Sequence, residues 1–223
     1  RLERRVLEQQ NDNLRKDELL AQSELRILQN QINPHFLFNT LNMIASTAQI
    51  EDADTTEKMI HALSRLFRYN LKSTDSVMPL ERELKVVQDY MYLQQMRFGQ
   101  RIRYDTDCKP DTMEVLVPSF ALQPLVENAI IHGISPKGQG GRIHVRSWME
   151  GRRLWISVAD TGRGMAQERL EEIRLALARG EEKATGVGVG NIYRRVHGMY
   201  RDGEVFIYSS EGRGTVVQMA FTP

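Results

Sequence analysis

Residues 31–42 read Gln31-Ile32-Asn33-Pro34-His35-Phe36-Leu37-Phe38-Asn39-Thr40-Leu41-Asn42, an imidazole, a proline and two phenylalanines inside an otherwise helical pattern. At about 100° per residue, Gln31, His35, Asn39, Asn42 and Ser46 fall on one polar stripe, while Leu37, Leu41, Ile44 and Ala48 form an apolar one. His35 is therefore expected to face solvent. A proline in mid-helix costs roughly 3 kcal/mol unless something compensates, so Pro34 should kink or restart the helix at the histidine and present its ring. A neutral imidazole is a nucleophile that needs neither metal nor triad to accept a phosphoryl group. Taken alone, the same stretch also reads as a surface histidine beside a helix-start proline.

Upstream, residues 1–30 lack proline and glycine and are rich in Leu, Glu, Gln, Arg and Lys, which predicts one long helix running through Pro34 to about residue 50. The rows Val6, Asn13, Leu20, Ile27 and Leu7, Leu14, Ala21, Leu28 repeat every seven residues as an imperfect coiled-coil seam, so parallel pairing with a second copy is expected. Glu51-Asp52-Ala53-Asp54 reads as a turn, with Asp54 or Thr55 as N-cap and Glu57 supporting the first turn. A helix to about residue 72 follows, its apolar Ile60, Leu63, Phe67 and Leu71 folding back as an antiparallel hairpin. Two such hairpins make a four-helix bundle. A further helix over 80–98 should turn Leu84, Val87, Tyr90, Met91 and Leu93 toward a core and bridge to a second module.

From Arg101 the pattern becomes α/β. Strands are expected over 102–107, 142–150, 152–160, 204–209 and 215–221, and helices over 119–133, 166–179 and 191–200, with a hairpin about Gly151. Helices alternate with mostly hairpin-linked strands, which predicts a mixed sheet covered on one face by helices, an α+β sandwich rather than a doubly wound sheet. The expected division is thus a signalling helix over 1–30, paired helices carrying His35 over 31–78, a bridging helix over 79–100 and an α/β domain over 101–223. Thirty basic and twenty-nine acidic side chains leave a net charge of +1, so nothing asks for nucleic acid or an anionic membrane. One cysteine, Cys108, excludes an intrachain disulfide framework and a Cys-based zinc site and fits a reducing compartment. No apolar run approaches the roughly 20 residues that span a bilayer, and no secretory signal opens the chain. The abrupt start at Arg1 within a helical pattern leaves room for an upstream membrane portion.

Four groups in order mark the α/β part: Glu127-Asn128 with His132-Gly133, Asp160-Thr161-Gly162-Arg163-Gly164, Gly186-Val187-Gly188-Val189-Gly190-Asn191, and Gly212-Arg213-Gly214-Thr215. A carboxylate at Asp160 can accept from an adenine amino group, with glycines letting backbone approach the base and phosphates. Asn128 offers a hard amide oxygen to Mg²⁺, which holds few protein ligands. The second glycine run can turn several N–H groups toward phosphates at a helix start. It is not a Rossmann fingerprint, because Asn191 takes the last required glycine position and residues 181–185 form no strand; no GxxxxGK[ST] string occurs either.

With these residues on the page, the chain resembles the cytoplasmic part of a sensor histidine kinase of the LytS/YesM type. The resemblance runs from about Leu25 to Pro223. It rests on the Asn33–Asn39 string NPHFLFN, the segment from Leu80-Glu81-Arg82-Glu83-Leu84 to Arg97-Phe98, and the ATP-binding boxes of the GHKL superfamily. It implies a GHKL (Bergerat) α/β sandwich that binds ATP, with His35 phosphorylated, Asn128 as Mg²⁺ ligand, Asp160 reading adenine, Gly162, Gly164, Gly186 and Gly188 shaping the pocket, and Thr215 supporting the adenine end. Asn39 sits where other histidine kinases carry a threonine or asparagine that resembles a water-positioning residue, although it could equally support the Pro34 kink. Many relatives carry an acid after the phosphoacceptor; here Phe36 stands in that position, so by analogy with GHKL ATPases Glu127 is either the base or a residue that only orders water or the histidine ring. Ile131 replaces a Lys or Arg, leaving His132 or Arg163 for the phosphate-end cation, and the segment between Gly164 and Gly186 lacks a phenylalanine-rich box. The implied activity is autophosphorylation on His35 within a homodimer, then transfer to an aspartate of a response regulator receiver domain. The implied location is the cytoplasmic side of an inner-membrane sensor. The rival readings are an ATPase using its helices only to dimerise and a non-enzymatic signalling adaptor with a degenerate pocket.

Overall fold

The computed structural model describes residues 34–72, 76–179 and 187–223. The expected coiled coil over 1–30 and Gly186 lie outside the described residues. The chain divides into two compact units between Ser64 and Arg65.

In the first unit, helix α1 (Pro34–Ile50) carries His35 near its described N-terminal end. His35, Asn39, Asn42 and Ser46 are exposed, as the polar stripe requires. The inward stripe is Leu41, Ala45 and Ala48; Ile44, expected inward, is 43% exposed. It shares the outer surface with Phe36, Met43 and Ile50, so α1 carries apolar side chains on more than one face. Residues 51–53 make the turn, with Asp52 at φ +54°, a conformation that short polar side chains tolerate. Helix α2 (Asp54–Lys72) then starts with Asp54 and Glu57 in its first turn, where acids complement the exposed N–H groups.

The second unit is built on a five-stranded sheet. After strand β1 (Val77–Pro79) come helix α3 (Leu80–Phe98), β2 (Ile102–Cys108), β3 (Leu116–Pro118) and helix α4 (Gln123–Asn128), which continues as a π-helical turn over Ala129–Ile134. The hairpin β4 (Gly141–Glu150) and β5 (Arg153–Asp160), helices α5 (Gln167–Arg179) and α6 (Val187–Met199), and the hairpin β6 (Glu204–Ser210) and β7 (Gly214–Phe221) complete it. The order is β2-β4-β5-β7-β6, with β2 parallel to β4 and every other pair antiparallel. One face, through Ile143, Val145, Ile156, Val158, Val217 and Met219, joins a continuous core with side chains of α3 to α6. The other face bears Trp148, Trp155 and Phe206 in a stacked row. This is the mixed, one-side-covered sheet that the strand and helix pattern predicts.

Three elements depart from expectation. Strands β1 and β3 pair antiparallel, in segments too short to show alternation. Helix α4 starts at Gln123 rather than 119, because the N–H groups of Phe120 and Leu122 are taken by the Glu83 carboxylate instead of entering a helix. Helix α6 already includes Val187 rather than opening at Asn191, so Gly188 and Gly190 are helical.

Candidate active site

The covered end of the sheet, where β5 and β7 meet α4, α5 and α6, encloses a cavity of about 300 Å³. Leu125, Ala129, Val158, Ile173, Ile207 and Val217 make it a flat-walled apolar slot, and Asn128, His132, Asp160, Arg163, Arg169 and Thr215 supply its polar rim. A volume of that order with a few convergent polar groups is typical of a small-molecule site.

Asp160 is the last residue of β5 and sits half-buried on this slot. Its Oδ1 accepts the Gly162 N–H at 2.7 Å. Burial lifts the carboxyl above the usual carboxylate range, opposed by the Gly162 and Thr215 N–H groups and the charge of Lys137. Two glycines let the loop close around it. A Cβ on Gly133 would come within 2.7 Å of Asp160 Oδ1, and one on Gly162 would land on the Gly133 backbone. Arg163 is pinned across the same seam, its N–H donating to Gly133 O at 2.9 Å and its Nε to His132 O at 3.0 Å. Thr215 opposes Asp160 in the β5–β7 register, and its hydroxyl lies 2.9 Å from that of Ser209.

Asn128 ends α4 with its amide against Gly188, where a Cβ would displace it. Among the described residues there is no group of three or more His, Cys, Asp or Glu side chains placed to hold a metal ion. A cation here would therefore be one bound through few protein ligands, with the balance from phosphate oxygens and water, as Mg²⁺ prefers. Glu127 does not line the cavity. Its carboxylate accepts from Gln123 Nε2 at 2.8 Å, and together with burial its charge pushes the nearby Tyr90 hydroxyl up to about 12.

The structure thus gathers Asn128, His132, Asp160, Gly164 and Thr215 around one cavity, with Gly162 and Gly188 packed behind them. His35 and Asn39 lie in the first unit. There the Asn39 amide nitrogen is 3.2 Å from His35 Nδ1 and 3.4 Å from Nε2. Sequence reasoning missed Arg169 and Ser209. Ser209 faces Thr215 through the β6–β7 register, and placing Gly212 at the hairpin tip would have been enough to find it.

Residues 23–102 match the family described as histidine kinase, and residues 118–223 match the histidine kinase-, DNA gyrase B- and HSP90-like ATPases. The chain belongs to the sensor histidine kinase family. The sensor histidine kinase YpdA of Escherichia coli (strain K12) is 37% identical over 189 residues, covering 83% of this chain and 32% of YpdA. The sensor protein LytS of Staphylococcus saprophyticus is 34% identical over 200 residues, 89% of this chain and 34% of its own length. The sensor histidine kinase YesM of Bacillus subtilis is 30% identical over 215 residues, 95% and 35%. The chain thus spans about a third of the length of these curated relatives. The cavity falls wholly in the ATPase-matching segment, and His35 falls in the other. No described helix is long and apolar enough to cross a membrane.

Proposed function

We propose that the chain is the kinase portion of a two-component sensor that phosphorylates His35 from Mg²⁺-ATP and passes the phosphoryl group to an aspartate on a response regulator receiver domain. The observation that carries this is one chain holding both a nucleotide cavity rimmed by Asp160 and Asn128 and a helix that turns His35 to solvent. Asp160 accepts from the adenine amino group, Thr215 supports that end through Ser209, and Gly162, Gly164 and Gly188 keep the walls close, while Gly186, assigned to the pocket by the family resemblance, lies outside the described residues. Asn128 would hold Mg²⁺, which when bound would supply charge neutralisation at the phosphates. Arg163 is the better phosphate-end cation than His132, being permanently charged and oriented by the His132 carbonyl. A His35 ring nitrogen bonds the γ-phosphorus as the bond to the ADP oxygen breaks, and the ring proton leaves to a base. Phe36 cannot take it; Glu127, beside Asn128, is the proposed acceptor. Such a transfer runs on positioning and charge neutralisation.

The proposed domain plan is dimerisation and phosphoacceptor helices over 31–78, a bridging helix over 79–100 and the ATP-binding domain over 101–223, with the signalling segment expected over 1–30 outside the described residues. The exposed Phe36, Met43, Ile44 and Ile50 favour a homodimer in which two helical hairpins pair as a four-helix bundle. The chain would be the cytoplasmic portion of a membrane sensor. The test is incubation with γ-labelled ATP, which should leave acid-labile, base-stable label on the protein. Free phosphate without labelled protein would reduce it to an ATPase.

Asp160 sets a pH dependence. Its ionised form is the full acceptor, and burial raises its pKa, so adenine affinity is complete above that pKa and falls as pH drops through it, sooner than for an exposed carboxyl. Adenosine, which has no phosphate to titrate, should bind progressively more weakly by calorimetry as pH falls through the raised pKa of Asp160, and Asp160→Asn should flatten the profile. An unchanged profile in Asp160→Asn would remove this residue from base recognition.

A further inference from the structure

We propose that Glu83 is a positioning residue for the nucleotide site: its buried carboxylate, together with the Tyr69 hydroxyl, fixes the turn from which the Asn128 helix starts. This rests on the reading of Asn128 as the Mg²⁺ ligand. Glu83 lies on α3 and is 0% exposed, in a position where an apolar side chain would pack at far lower desolvation cost. It is surrounded by donors. Phe120 N–H reaches Oε1 at 2.9 Å, Leu122 N–H reaches Oε2 at 3.0 Å, and the Tyr69 hydroxyl donates to Oε1. The Phe120 N–H also reaches Tyr69 Oη at 2.6 Å.

These bonds satisfy N–H groups just ahead of α4, which have no carbonyl of that helix to bond. They also hold Phe120 at φ +59°, a conformation that a bulky residue keeps only when its surroundings enforce it. The Phe120 ring lies between Tyr69, 4.4 Å away, and the Arg195 guanidinium, 5.6 Å away. Arg195 donates to Ser119 O from α6, the same helix whose Gly188 packs on Asn128. Leu122 O in turn accepts from Leu125 and Val126 at 3.1 Å, so the turn sets the phase of α4 and with it the direction of Asn128. Tyr69 brings the C-terminal end of α2 to the same carboxylate.

The test compares ATP affinity with Mg²⁺ and with EDTA in the whole chain, for the wild type, Glu83→Gln, Tyr69→Phe and Asn128→Ala. Glu83→Gln keeps the shape but turns an amide N–H toward a backbone N–H. It should cut the Mg²⁺-dependent gain in affinity about tenfold while EDTA affinity stays within about twofold, and Tyr69→Phe should cut the gain severalfold. An equal loss in both conditions would mean general loosening and overturns the proposal, as does an unchanged Mg²⁺ gain in both variants while Asn128→Ala loses it. If Asn128→Ala keeps the gain, the metal-ligand reading fails and takes the proposal with it. Should Glu83→Gln not fold, Tyr69→Phe, which loses a single oxygen, decides alone.

Discussion

His35→Ala is expected to take up no phosphoryl group from ATP, yet to bind ATP as tightly as the wild type. The imidazole stands on the exposed stripe of α1 in the first unit, whereas the cavity is lined by residues 125–217 of the second. Removing the ring therefore deletes the nucleophile without touching the slot between Asp160 and Asn128. The neighbouring Asn39→Ala separates nucleophile from support. An N–H donor satisfies a ring nitrogen only when that nitrogen is unprotonated, which is the form that attacks phosphorus, so the Asn39 contact has to yield before transfer. An exposed hydrogen bond contributes only about 0.5–1.5 kcal/mol net, so losing it should change the labelling rate by no more than about tenfold. Loss of phosphate from a phosphorylated regulator should slow in the same variant. Two time courses with purified protein decide this, one following label on the kinase and one its loss from the regulator. Label on His35→Ala would move the phosphoacceptor elsewhere. Complete loss of both activities in a folded Asn39→Ala would show that Asn39 serves His35 alone.

Gly162→Ala is expected to lose ATP affinity by at least about a hundredfold, the equivalent of roughly 3 kcal/mol, and to unfold at lower temperature. The added methyl falls on the Gly133 backbone and within 2.6 Å of Asp160 Oδ1. One neighbour is backbone and the other is held by the Gly162 N–H, so the loop must move and carry the cavity-lining Asp160 carboxylate with it. Gly151→Ala is the matched control. Gly151 has φ +62° at the β4–β5 turn, with nothing within 4 Å of an added Cβ. Backbone strain should cost it stability while ATP affinity stays at the wild-type value. Calorimetric titration with ATP, run beside thermal unfolding of both variants, distinguishes them; Gly162→Ala binding ATP within a few-fold of wild type would remove the loop from the site.

Helical periodicity and local turn chemistry placed α3 at Leu80–Phe98 and the β4–β5 hairpin about Gly151, and the ordered glycine groups pointed to residues that do share a cavity. Those features are local: a repeat of about 3.6 or 2 residues and a glycine at a sharp turn are written in adjacent positions. Other features depend on partners far along the chain. That Glu83 would lie buried, and that its carboxylate would delay the start of α4 to Gln123, follows from contacts spanning 37 and 39 residues. The pairing of β1 with β3 and the parallel β2–β4 register join segments with no shared pattern. Tertiary packing likewise put Asn128 on the cavity and its neighbour Glu127 off it, because successive helix positions point about 100° apart and only the placement of α4 says which one faces the slot. The sequence by itself determined which elements form and which residue types the chemistry needs. Only the tertiary structure decided which side chains converge, because desolvation and hydrogen bonding at a site are settled by what the rest of the fold brings against it.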